Sequence, residues 1–203
     1  MKNILKIGGV IILIEVVIVG LGVFALIRHG VSARDEPLAV EAVAARFLRR
    51  LATPQAYRDI RNPVEATPVV LAEARAHFAD HCALCHANDG SGQTEIGKNL
   101  YPKAPDMRQD DTQSLSDGEL FYIIHNGIRL TGMPAWGDGP PEEDLDSWKL
   151  IHFIRHLPQL SQQEIEEMKQ LNPTSPHERE EEEDIEKFLQ GDDSPATFSP
   201  SHH

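Results

Sequence analysis

Apolar residues are spaced in several distinct ways along this chain, and each spacing predicts a different kind of element. From Ile7 to Ile27 the run is almost unbroken, 21 residues interrupted only by Glu15. As a helix, that length crosses a hydrocarbon core of roughly 30 Å. It exceeds the roughly 7–15 apolar residues of a cleaved signal peptide, so a retained anchor is favoured. Val31-Ser32-Ala33 nevertheless resembles a small-residue cleavage site, and a cleaved signal is the alternative. Over 36–54 the pattern changes to steps of three and four, with Val40, Val43, Phe47 and Leu51 on one stripe and Arg46, Arg49 and Arg50 on other faces. That periodicity predicts an amphipathic helix. Pro54, Pro63 and Pro68 then punctuate a linker over 52–66.

The densest helical pattern lies between 67 and 160. Thr67-Pro68 offers an N-cap and a first-turn proline, followed inward by Val70, Leu71, Ala74 and Phe78. Residues 87–116, rich in Gly, Pro, Asp, Asn and Ser, predict loop. Ser116 or Asp117 opens a second helix to Gly127 with Leu120, Ile123 and Ile124 inward, and a third spans Glu142–Leu157. Beyond it, Ser161-Gln-Gln-Glu164 has the form of a capping box for a short helix ending near Leu171. Residues 178–187 form a charge run of the solvated or disordered type. The chain therefore divides into an anchor (1–27), an amphipathic arm and linker (28–66), a main domain (67–160) and an acidic, partly helical or disordered tail (161–203).

Charge sharpens that division. The main domain carries seven Lys and Arg against fourteen Asp and Glu, and the tail three against twelve. Nucleic-acid binding needs the opposite sign, because phosphates are neutralised by Lys and Arg. The flanks of the anchor, Lys2 and Lys6 against Arg28 and Arg34, leave its orientation open. Glu15 would pair with a partner subunit or sit neutral in a single span.

The chemistry concentrates in His81-Cys82-Ala83-Leu84-Cys85-His86, which contains Cys-x-x-Cys-His, the attachment motif of c-type haem. Residues three apart share a helix face, so both thiols reach the two vinyl groups of one porphyrin. His86 then turns under the ring toward iron. A thioredoxin-like pair would need a preceding strand, and none is patterned here. A zinc site needs four ligands, usually two separated pairs. His77 and His81 are the only histidines close by, and His81 adjoins Cys82. For a sixth ligand, Met133 sits in a Gly132-Met133-Pro134 turn, where glycine permits close approach and proline stiffens the loop. Met107 is the alternative, and Met168 reads as packing on the tail helix.

Cys82-Ala-Leu-Cys85-His86 followed by Gly132-Met133-Pro134-Ala-Trp136 resembles a bacterial class I cytochrome c domain, and Trp148–Leu157 resembles that family's closing helix. The resemblance covers residues 67–160. It implies an all-α class I cytochrome c fold, a small helical domain wrapped around one covalent haem c, with Phe78 and Phe153 meeting where the first and last helices cross. It further implies His86 and Met133 as iron ligands and Pro102 and Pro105 in the proximal loop. Tyr101 and Trp136 stand as candidate propionate donors or as packing. His125, His152 and His156 read as structural, and His202-His203 as a weak metal binder at best.

His/Met ligation raises the haem potential and suits one-electron transfer, and no constellation of base and nucleophile stands beside it. The expectation is an electron-transfer protein, not an enzyme by itself. The resemblance places it on the bacterial inner membrane, single-pass, with the haem domain on the periplasmic side. Its acidic surface would meet basic docking patches on redox partners. Alternatives are a fixed cytochrome subunit of a larger oxidoreductase and, with less support, a haem gas sensor.

Overall fold

The computed structural model describes residues 2–30 and 32–174, together with Ile185 and Leu189. The rest of the acidic run 178–187 and His202-His203 lie outside the described residues. Among the described residues every regular element is helical. Helix α1 (Lys2–His29) includes a stretch, Lys6–Ala25, long and apolar enough to cross a membrane, and its large apolar side chains from Ile7 to Leu21 are exposed. Helix α2 (Ala39–Ala52) falls within the expected 36–54 and buries none of its residues.

The stretch read as a linker carries a one-turn helix, α3 (Gln55–Arg58), and it is packed. Tyr57 stands edge-on to Tyr122 with ring centroids 5.0 Å apart. The Asn62 side-chain amide donates to the Trp148 carbonyl over 2.8 Å. Such contacts are long-range, and no local periodicity announces them.

Thr67 caps α4 (Pro68–His77) by accepting from the Val70 amide over 3.2 Å, with Pro68 in the first turn. The chain then widens into a single π turn, Phe78–Cys82, and tightens again as α5 (Ala83–His86). Within the long loop that follows, α6 (Asp110–Gln113) is one turn of helix. Arg108 ties this loop together, binding Asp106 at 2.8 Å and Asp89 at 3.0 Å. The Asp106 carboxyl is held down at about 2, chiefly by its hydrogen bonds from Arg108.

Helix α7 (Asp117–Asn126) starts in a complete capping box between Ser116 and Glu119. Helix α8 (Leu145–His156) starts three residues later than the pattern predicts. Glu142 and Glu143 are good helix formers, but they follow Pro140-Pro141 in a turn, and Asp144 supplies the cap by accepting from the Ser147 amide over 3.0 Å. Helix α9 (Gln162–Lys169) has the expected capping box. It docks on the domain through fully buried Met168, and Arg75 reaches Glu167 at 3.0 Å.

The core sits where α4, α7 and α8 meet. Phe78 of the π turn and Phe153 pack with centroids 5.0 Å apart, over Ala74, which is 1% exposed. Phe121 of α7 stacks on Trp148 of α8 at 4.2 Å. Full burial of a side chain such as Ile151 or Phe153 is worth about 1.5–3 kcal/mol. Five core residues of α8 therefore outweigh any cap at its ends.

Candidate functional site

One apolar cavity, about 710 Å³ including its open mouth, lies between these helices. The π turn and α5 contribute Cys82 and His86 to its wall, and α7 contributes Leu120, Ile123 and Ile124. The loop after α7 brings Met133 and Trp136, α8 brings Leu150 and Ile154, and the long loop brings Pro105 and Met107. The side chains singled out by the motif and by the Gly-Met-Pro turn, 47 positions apart in the chain, thus meet in one space.

Met133 is set by the way its loop folds back on α7. Gly127 adopts φ +66°, and a side chain there would collide with the backbone of Pro134 and Ala135. The Ile128 amide donates to the Met133 carbonyl over 3.1 Å, and the Met133 amide to the Thr131 hydroxyl over 3.1 Å. The Trp136 and Gly137 amides, each at 3.0 Å, donate to the Ile124 and His125 carbonyls at the end of α7. His125 and Asp144, nearly buried at 10% and 7% side-chain exposure, pair at 2.6 Å and join this loop region to the start of α8. Burial would raise the Asp144 carboxyl, but hydrogen bonds from His125 and Ser147 outweigh it and hold the group below the usual range.

The His86 ring is buried, which pushes its pKa down and favours the neutral form that can ligate metal. The Pro105 carbonyl faces the ring and offsets part of that depression, yet Nδ1 makes no hydrogen bond of ordinary geometry. Burial pushes the Cys82 thiol up to about 12, and the Cys85 thiol upward as well. A Cys82 thiol held protonated in an apolar wall does not suit thiolate redox exchange. Among the described residues no group of three or more His, Cys, Asp or Glu could hold a metal ion, so a zinc reading finds no further ligands among them.

Cys85 is half-buried and outside the lining, three residues on from Cys82. Trp136 lines the cavity, is 38% exposed and stands edge-on to His81 at 5.5 Å. Tyr101 is not part of the lining; its hydroxyl donates to Glu41 of the arm over 2.7 Å. Met107, the alternative ligand, is buried in the wall, while Met168 packs under α9. His125, His152 and His156 each take a protein partner: Asp144, the Val64 carbonyl and Glu164. Sequence reasoning missed Arg49, which reaches from α2 into the cavity wall, and the His125–Asp144 clasp.

The cavity fits a haem c: an apolar enclosure whose wall carries a buried imidazole, a thioether and a thiol. Residues 70–154 match the family model described as cytochrome c oxidase, cbb3-type, subunit III. Residues 70–154 are a class I c-type cytochrome domain. No curated protein matches the chain at a significant level. The cytochrome c domain implies haem c and electron transfer. Its matched span begins inside α4 and ends inside α8, leaving α1, the arm and α9 outside.

Proposed function

We propose that this chain is a membrane-anchored one-electron carrier with a single haem c, joined through Cys82 and Cys85 and ligated by His86 and Met133. The observation that carries the reading is the convergence of His86, Met133 and Cys82 on one apolar cavity. When bound, the haem supplies a reversible ferric/ferrous couple. The protein's part is to hold and insulate it. His86 presents a neutral nitrogen, and the loop stitched to α7 presents the Met133 sulfur, whose softness favours ferrous iron. Leu120, Ile124 and Ile154 exclude water, which keeps the environment similar in both oxidation states. Arg49 is the one Lys or Arg side chain among the described lining residues and suits the carboxylates of a haem c.

Helix α1 serves as the single-pass anchor in this reading, with the haem domain on the periplasmic side of a bacterial inner membrane. The acidic domain and tail favour partners with basic docking patches, through small, salt-sensitive encounters in the manner of redox pairs. A second reading has one observation in its favour: the matched family describes an oxidase subunit, which supports a fixed subunit of a larger oxidoreductase. Co-purification after mild detergent extraction separates the two, a stoichiometric complex favouring the subunit. The test of the site itself is the ferrous absorption spectrum with and without carbon monoxide. An unchanged spectrum supports closed His86/Met133 ligation, whereas rapid and complete binding would overturn it and favour a gas-binding module.

A further inference from the structure

Helix α2 is turned the opposite way from an ordinary surface helix. At 100° per residue, Val40, Val43, Phe47 and Leu51 share an arc of about 80°. All four are between 58% and 74% exposed, as is Leu48 beside them at 61%. Arg49 lies on the far side of the helix and lines the cavity, with Glu41 and Arg46 to either side of it. Arg46 binds Asp111 at 3.2 Å, Glu41 accepts from Tyr101, and just before the helix Glu36 pairs with Lys103. The polar face thus grips the cytochrome c domain, and the apolar face points outward.

Two further facts say what covers that face. Nine residues, 30–38, join the end of α1 to the start of α2, so α2 lies at most roughly 30 Å of extended chain from it. In addition, residues 28–65 carry seven basic against five acidic residues. This is the one section beyond the anchor with net positive charge, beside a domain with twice as many acids as bases. A helix with an apolar stripe, little overall hydrophobicity and arginines off the stripe belongs at a lipid interface.

We propose that α2 lies in the interfacial layer of the membrane, its apolar face seated among anionic phospholipid headgroups and upper acyl chains. This rests on reading α1 as a retained anchor. The haem cavity, with Arg49 in its wall, is then held beside the bilayer by the same helix that closes it. Electrons would pass to and from partners whose redox groups lie close to the membrane surface.

The test is photo-crosslinking of the full, haem-loaded chain in vesicles of phosphatidylethanolamine and phosphatidylglycerol. The benzophenone amino acid p-benzoylphenylalanine is placed singly at Val43, Phe47 and Leu51, at Ala45 on the opposite arc, at Gln93 on the domain and at Ile14 in α1. Retained haem absorbance checks folding of each variant. The expected result is phospholipid adducts, read by mass, at 43, 47, 51 and 14, and none at 45 or 93. Adducts at 14 without those at 43, 47 and 51 would overturn the proposal and leave the anchor standing. No adducts at 14 would overturn the anchor reading and the proposal with it. Crosslinks from 47 to a second copy of the chain would assign the face to self-association and overturn it too.

Discussion

Helices α2 and α8 are nearly equal in length, and both place apolar residues at helical spacing, yet they are held in opposite ways. Helix α8 buries Trp148, Leu150, Ile151, Phe153 and Ile154. Helix α2 buries nothing and touches the domain through polar side chains, among them the Arg46–Asp111 ion pair and the hydrogen bond from Tyr101 to Glu41. Periodicity therefore says that a helix has a face but not which face meets the protein. The core helix is secured by area removed from water, and the arm by charge contacts individually worth little. Both line the haem cavity, α2 with Arg49 and α8 with Leu150 and Ile154.

The largest way to break the contrast is to empty the cavity that both helices line. Cys82→Ala with Cys85→Ala should abolish covalent haem, seen as complete loss of haem staining in a denaturing gel. It should also loosen α8, next to the cavity, before α2. Next, Phe153→Ala should cost about 3–5 kcal/mol, because it opens a cavity at the α4–α8 crossing. Phe47→Ala should stay within about 0.5 kcal/mol. Denaturant titration followed by haem absorbance compares the two, and equal losses would remove the distinction between core and arm. Met133→Ala leaves both helices in place and should keep covalent haem while lowering its midpoint potential. An unchanged potential in a spectroelectrochemical titration would shift the ligand assignment to Met107.

Electrostatic changes come last. The Asp106 carboxyl ionises near pH 2 in the folded chain against an ordinary 3.8. Its pairing with Arg108 therefore stabilises the fold above about pH 4 and is lost as the pH falls through about 2. Asp106→Asn should lower stability at neutral pH by less than about 1 kcal/mol, the pair being partly exposed. The gap to the parent should close below about pH 2. In the arm, Arg46→Gln removes an exposed contact with Asp111, and its effect should fade in high salt.

Local signals were legible wherever a few neighbouring residues settle the matter. Thr67-Pro68, Ser116 and Ser161 with Glu164 start helices in the sequence and in the structure alike. The attachment motif announces the haem, because its three residues lie within five positions. What stayed hidden depends on contacts between distant parts of the chain. Residues 55–64 read as linker because Tyr57 and Asn62 find their partners on α7 and α8. Arg49 could be assigned to a polar face, but nothing in its neighbourhood says that this face borders the cavity. The His125–Asp144 clasp spans 19 positions and leaves no trace in either residue's surroundings.

The π turn at Phe78–Cys82 has a consequence for how the domain can vary. One extra residue in a helical turn delays the phase of everything downstream by about 100°. Ala74 before the turn and Phe78 at its start are timed to α8; Cys82 at its end and His86 beyond it are timed to the cavity. The widened turn acts as a clutch between two clocks on one rod. Substitutions can retune the helix crossing without turning His86, whereas removal of a single residue there would turn both thiols and the imidazole away together.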